Sequence, residues 1–542
     1  MRSGTPPEER ETMDEFEPLE EEVEAAQPGP SIKRTLARNT SANAIAQAIQ
    51  LGSNFIFMPF LIKSFGLSMY GVYLFASSLG GYMSFLDFGV GLSLTKLLSE
   101  YRAKNDNEHS SRLVSSALAF YAGVGVLGCF LLLLIARYAV GWFHFTPDEQ
   151  VVARNLLAAA AAFSPFMWPI VSVTSVQAGL NRYDINATAA MMGSALNAGV
   201  MLLVITLHLG PVALWVGLSL TTLVVSVWNW RRALIELGRE VHIKLANIHP
   251  SALAPLVKMS AYIFVIQVST TLIYQQTDRL IVGFFVGAAA VALYEAAAKV
   301  ESLVRQIAGM MASAVVPVTS RLSALEDKEA VRRLLLRGTR YAAFVVLPIT
   351  TGLTLLARPI LVTWLGPSFG TSTVLAQLFL SYWLVNVNGA VMGSMIVGIG
   401  RLDRVIWWQN LGTFLNVALG VLLTWKFGVI GVILGTVLSH LIVLPAYLRI
   451  GYRLLGVRLG EWLHQVAVPA YPTLLVTVAV VGVGYALGLT SGLVGVAITG
   501  LASVFAYWLT VFLFLLDDVE RRDVASLRDA FFGKVRSMLR TA

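Results

Sequence analysis

Four charged side chains recur at helical spacing inside one otherwise apolar stretch: Glu295, Lys299, Glu301 and Arg305. At 100° per residue, Glu295, Lys299 and Gln306 fall within about 40° of one another, and Tyr294, Glu301 and Arg305 form a second polar stripe of similar width. Each acid precedes its base by four residues, so the partners can offset one another across one helical turn. Charge within an apolar span is expensive and by default functional, and ammonium and guanidinium groups are natural partners for phosphate. The chemistry this pattern predicts is capture of an anionic group by Lys299 and Arg305, with Glu295 and Glu301 orienting them, in a water-filled cavity. The same pairs also fit a structural role, holding helices in register. Just upstream, Gln275, Asp278 and Arg279 sit at the end of the preceding apolar run. Asn54 occupies the position aligned with Gln275 in the first half, and Asp87 interrupts the second run, where structural and functional roles weigh equally.

The elements that position these groups repeat. Gly66 lies seven residues before Tyr73 and Gly287 seven before Tyr294, 221 residues further on. Asp106-Asn107-Glu108 with Arg112-Leu113 recurs in register as Asp327-Lys328-Glu329 with Arg333-Leu334. A third echo pairs Gly179 to Asp184 and Asn197 with Gly398 to Asp403 and Asn416. A duplicated apolar chain predicts two similar membrane halves with a substrate path between them.

Composition agrees: 56% of residues are apolar and 13% charged, and the mean hydropathy is +0.69, outside the soluble globular range. Apolar stretches long enough to cross about 30 Å of hydrocarbon are read near 40–64, 71–92, 113–136, 152–178, 185–208, 212–230, 259–284, 290–316, 341–357, 371–398, 405–425, 429–448, 466–488 and 492–516. The expected architecture is therefore all-α and polytopic, with about fourteen transmembrane helices: a lobe over 36–235, a linker over 236–258, a second lobe over 259–455 and an additional helix pair over 456–516. Lys and Arg gather in alternate loops (Lys104 and Arg112, Arg231 and Arg232, Arg333 and Arg337, Arg453 and Arg458), which predicts that these loops and both termini are cytoplasmic. The net charge of +8 is thus a topology signal, not a nucleic-acid footprint, because it is spread over many short loops.

Residues 1–35 are rich in Glu and Pro and predict a disordered acidic cytoplasmic tail. Residues 517–542 carry the helical stripe Val524, Leu527, Phe531, Val535 and Met538 amid basic residues, as an amphipathic helix on the cytoplasmic leaflet would. Enzyme chemistry finds no support: the seven histidines have no metal-ligand spacing, no Walker-type Gly-Lys-Ser/Thr occurs, and Cys129 stands alone in an apolar run. The expectation is a non-enzyme without metal or cofactor, save a coupling ion, H+ or Na+.

FMPFLIKSFGLSMYGVY at 57–73, LDFGVGLS at 86–93, Asp278 followed by the Gly287-to-Tyr294 pattern, VPVTSRLS at 316–323, and the turns with Asn197 and Asn416 resemble the polysaccharide repeat-unit flippases. These O-antigen-translocase-type proteins belong to the multidrug/oligosaccharidyl-lipid/polysaccharide exporter superfamily. The resemblance covers 36–516. It implies two six-helix lobes plus a helix pair, alternating access between the lobes, and a polyprenyl-diphosphate-linked oligosaccharide moved from the cytoplasmic to the outer leaflet of a bacterial inner membrane. It places the charged cavity role on Lys299, Arg305, Glu295 and Asp278. A monomer working beside a polysaccharide polymerase or glycosyltransferases would follow. Alternatives are a lipid II flippase of the same superfamily, for which Lys63 alone in the first two spans is too little positive charge; a multidrug/cation antiporter, against which the final helix pair argues; and a non-transport scaffold for glycan synthesis.

Overall fold

The computed structural model describes residues 52–53, 55–238, 240–249, 256, 260, 277–516 and 520–521. The acidic tail, most of the spans expected at 40–64 and 259–284, and most of the C-terminal amphipathic segment lie outside the described residues. Every regular element described is helical. The first half comprises α1 (Phe55–Phe65), α2 (Leu67–Tyr82), α3 (Val90–Ala103), α4 (Asn107–Trp142), α5 (Pro147–Gly179), α6 (Tyr183–Thr206) and α7 (Pro211–Leu237). The second comprises α8 (Thr277–Phe285), α9 (Ala288–Ala324), α10 (Lys328–Leu355), α11 (Ala357–Leu365), α12 (Pro367–Gly398), α13 (Ile406–Phe427) and α14 (Val429–Leu454). Helices α15 (Leu459–Ala486) and α16 (Leu493–Leu515) follow.

Among the described residues ten helices are long and apolar enough to span a membrane, and α10 with α11, bent by 65°, makes an eleventh. The run expected as one span at 71–92 is instead broken. Phe88 and Gly89 adopt left-handed backbone conformations (φ 49° and 78°), which end the α2 segment, and the Asp87 carboxylate accepts the Gly91 N–H (3.3 Å) at the start of α3. Two helices also outrun their apolar windows: α9 continues to Ala324, and α10 begins thirteen residues before 341. Their charged end turns are invisible to hydropathy but are held by helix capping. Asp106 at the start of α4 accepts the His109 N–H (3.0 Å), and Asp327, its repeat mate, does the same for Ala330 at the start of α10 (2.9 Å).

Large apolar side chains such as Phe130, Leu202, Phe414 and Phe505 point outward, as a hydrocarbon surround requires. Inside, one buried cluster runs from Met58, Leu61, Tyr70 and Leu74 of the first half into α9, α10 and α12 of the second. The halves touch along α2 and α9. There Gly71 lies so close to the backbone of Ala288 that an added Cβ would stand 1.8 Å from its carbonyl oxygen. Tyr82 Oη and Thr277 Oγ1 meet at 2.6 Å, and Trp364 donates to the Phe55 carbonyl (3.0 Å). The final pair packs on α10, with Asn388 of α12 bridging Tyr471 (3.0 Å) and Trp462 (3.1 Å) of α15.

Candidate functional site

Helices α8 and α9 turn back on one another at Gly287, whose φ of 115° suits glycine. This antiparallel turn sets residues sixteen apart face to face. Tyr294 donates to Asp278 Oδ2 (2.7 Å), and Arg279 grips Glu295 through Nε (2.8 Å) and Nη2 (2.7 Å). Lys299, one turn on, approaches the other Glu295 oxygen at 3.4 Å. One carboxylate therefore anchors two cations. Further along α9, Glu301 lies 3.5 Å from Arg305 and accepts the indole N–H of Trp383 from α12 (2.7 Å). Arg279 also reaches across the lobe boundary to Ser78 Oγ of α2 (3.4 Å).

These groups wall a cavity of about 380 Å³ lined from α8, α9, α12 and α14, with Tyr382, Gln306 and Thr436 completing its sides. The three acids and three cations sum to zero charge, so the arrangement, not the balance, decides the chemistry. The Glu295 and Glu301 side chains are 2% and 11% exposed, whereas Arg279, Lys299 and Arg305 are 20%, 26% and 36% exposed. The glutamates sit behind and the cations in front. A buried carboxylate keeps each cation charged and oriented, and the cavity surface meets an incoming group with guanidinium and ammonium hydrogens. Such a wall holds an anion, phosphate best, because fork-like and multi-donor contacts match its oxygens. Among the described residues no cluster of His, Cys, Asp and Glu could hold a metal ion.

Of the residues singled out from sequence, Asp278, Arg279, Glu295, Lys299, Glu301 and Arg305 come together here. Asn54 and Gln275 lie outside the described residues. Asp87 is not among the residues that line the cavity. Its Oδ1 accepts from Tyr121 Oη (2.5 Å) and the Gly91 N–H, joining α4 to the α2–α3 break. Trp383, Tyr382, Thr436 and Ser78 escaped the sequence reading. The first two sit on a helix that carries no Asp, Glu, Lys or Arg to draw attention to it. Ser78 had a signal, since it stands 221 residues before Lys299, the register of the repeat.

Comparisons with known proteins agree with this architecture. A family model described as polysaccharide biosynthesis protein matches residues 36–323. The chain is similar to a probable flippase, AglR, of Haloferax volcanii, with 21% identity over 406 residues that make up 73% of this chain and 80% of that one. Its fold is similar to that of the lipid II flippase MurJ in an inward closed conformation (TM-score 0.67, 14% identity, 88% of this chain and 98% of that one). It is also similar to an inward-facing multidrug resistance transporter of the MATE family (TM-score 0.62, 18% identity, 75% and 94%). With more than half of its length matched and its helices arranged as a multi-pass membrane protein, the chain belongs to the polysaccharide biosynthesis protein family.

Proposed function

We propose that this protein is a flippase for a lipid-linked oligosaccharide, and that Lys299, Arg305 and Arg279 hold the diphosphate joining glycan to lipid. The observation that carries this reading is the layering of the cavity: acids buried behind, cations exposed in front, beside the boundary of two duplicated halves. Three cations that line one cavity and keep part of their surface open to it are what a site that must accept an anion requires. Each cation carries more donors than its glutamate uses, so it can meet phosphate while the buried acid stays paired behind it. The similarity to a probable flippase, and in fold to a lipid II flippase and an inward-facing multidrug resistance transporter, supports the same reading. On it the two lobes open alternately, the substrate passes from the cytoplasmic to the outer leaflet of the inner membrane, and both termini are cytoplasmic, in keeping with the Lys/Arg-rich loops. Coupling to H+ or Na+ and work beside a polymerase belong to the same proposal.

The test is surface glycan in a host lacking its own copy of the gene. Lys299→Glu and Arg305→Glu, each present in the membrane at normal level, are expected to abolish surface glycan and to leave lipid-linked precursor on the cytoplasmic side. Full export by Lys299→Glu would overturn the anion-holding role.

A further inference from the structure

A second cavity, of about 340 Å³, opens between α12, α13 and α14. Its lining contains no Asp, Glu, Lys or Arg; its polar groups are the amides of Asn386 and Gln409, the hydroxyls of Ser394, Thr413 and Tyr447, and the imidazole of His440. It adjoins the charged cavity. Tyr382, which lines the charged cavity, packs its ring on that of His440 (centroids 4.5 Å apart), and Thr436, also of the charged cavity, lies one turn before His440 and accepts its Nδ1 contact through the backbone (2.8 Å). Among the described residues the side chains of Asn386, Ser394 and Gln409 make no hydrogen bond. The two amides each bring two donors and an acceptor to one space, and Trp408 brings an aromatic face.

We propose that this neutral chamber is a subsite for an uncharged sugar ring of the transported glycan. The inference rests on the proposed function, since it assigns the neighbouring cavity to the diphosphate. Vicinal hydroxyls of a sugar donate and accept at once, which is what paired amides and hydroxyls answer. Amides that no protein group engages are open to a ligand that supplies both kinds of partner. The indole ring covers the apolar face of a pyranose, as aromatic side chains with one wet edge do. The side-by-side placement then matches the covalent order of the substrate: diphosphate against Lys299 and Arg305, the adjoining sugar past Tyr382 against His440, Asn386 and Gln409.

The experiment uses the full chain in lipid nanodiscs and two probes, polyprenyl diphosphate without sugar and the same lipid carrying a neutral oligosaccharide. The wild type is expected to bind the glycosylated lipid roughly tenfold more tightly, the yield of about one net hydrogen bond. Asn386→Leu with Gln409→Leu should erase that difference while leaving the affinity for the sugar-free lipid unchanged, which also certifies the fold. Gly412→Leu is a second route: Gly412 lines the chamber and a Cβ there keeps ordinary van der Waals distance from Val443 (3.8 Å), so the larger side chain takes up chamber space and should erase the difference as well. Equal affinity of the wild type for the two lipids, or a difference that survives both variants, overturns the subsite. Lys299→Glu should weaken both lipids; if it weakens neither while the chamber variants act as stated, the subsite stands and the diphosphate assignment falls.

Discussion

Gly66 and Gly287 open α2 and α9 with left-handed φ values of 82° and 115°, Tyr73 and Tyr294 follow at the same interval, and Asp106 and Asp327 cap α4 and α10. In that register, Met58, Leu74, Ser78 and Gly80 of the first half stand where the second half carries Arg279, Glu295, Lys299 and Glu301. Met58 and Leu74 are buried in the apolar core. The devices that shape the backbone thus occur twice and the charges once. Helix starts, close approaches and caps are demands of the frame, which both halves share; ionised groups in a membrane are costly wherever they lack a task. Among the described residues the charged cavity is lined from the second half alone, and the first half contributes one hydroxyl, Ser78, to Arg279.

The comparison breaks hardest at Glu295. Giving this position the first half's residue, Glu295→Leu, strips Arg279 and Lys299 of their shared counter-charge and is expected to cost about 3–5 kcal/mol, the penalty for breaking a buried pair from one side. Thermal unfolding of the purified protein reads this directly, and a variant as stable as the wild type would show that the pair carries no structural weight. Copying the first half more fully, with Arg279→Met, Glu295→Leu and Lys299→Ser together, removes the whole ion set, both cations and the acid between them. That triple should recover most of the stability, since replacing a buried ion set with apolar groups is often neutral, and still export no glycan. Recovery of export in the triple would place the site elsewhere.

Close approach is the next point of contrast. Gly71→Ala drives a Cβ to 1.8 Å from the Ala288 carbonyl, so α2 and α9 must part, at about 1–3 kcal/mol as for other overpacked cores. At the two helix starts the halves should respond unequally. Gly66→Ala meets nothing within 4 Å and bears only the strain of a positive φ with extended ψ (82° and 162°), a region open almost to glycine alone, about 1–3 kcal/mol. Gly287→Ala bears the same strain and also stands 2.8 Å from the His144 carbonyl, so its loss must be larger. Melting temperatures of the two variants side by side decide this; equal losses would mean that the α8–α9 turn has room that the packing denies.

The repeat and the two i,i+4 pairs of α9 were legible in the sequence because both are local periodicities. What joins them is not. Arg279 meets Glu295, and Tyr294 meets Asp278, through a turn at Gly287 whose antiparallel geometry depends on its backbone angles. Trp383 reaches Glu301 from 82 residues away, on a helix without a single Asp, Glu, Lys or Arg. The break at Phe88–Gly89 was hidden for the opposite reason: hydropathy stays high across it, and the left-handed pair that ends the helix leaves no mark on an average. Asp87, read from sequence as a charge in a span, is explained by that break, since its carboxylate serves the Gly91 N–H and Tyr121.

The smallest expected difference between the halves lies at their matching caps. Asp327→Ala should cost about 1 kcal/mol, the usual worth of a helix N-cap. Asp106 does the same task and in addition lies 2.8 Å from the His109 ring. The His109 backbone N–H and then its ring hold the Asp106 carboxyl below the ordinary carboxylate range. A carboxyl held low in the folded state contributes stability at pH values above its unfolded-state pKa and loses it as pH falls through the lowered one. Asp106→Asn keeps an oxygen for the His109 N–H and removes only the charge. The wild type should therefore melt slightly above this variant at neutral pH, and the gap should close below about pH 4, where carboxyls take up protons. The Asp327→Ala gap, resting on a cap removed outright, should remain the larger of the two at neutral pH. Melting curves over a pH series settle the point, and an Asp106→Asn gap that widens on acidification would show that the interaction with His109 is not what sets Asp106 apart from its repeat mate.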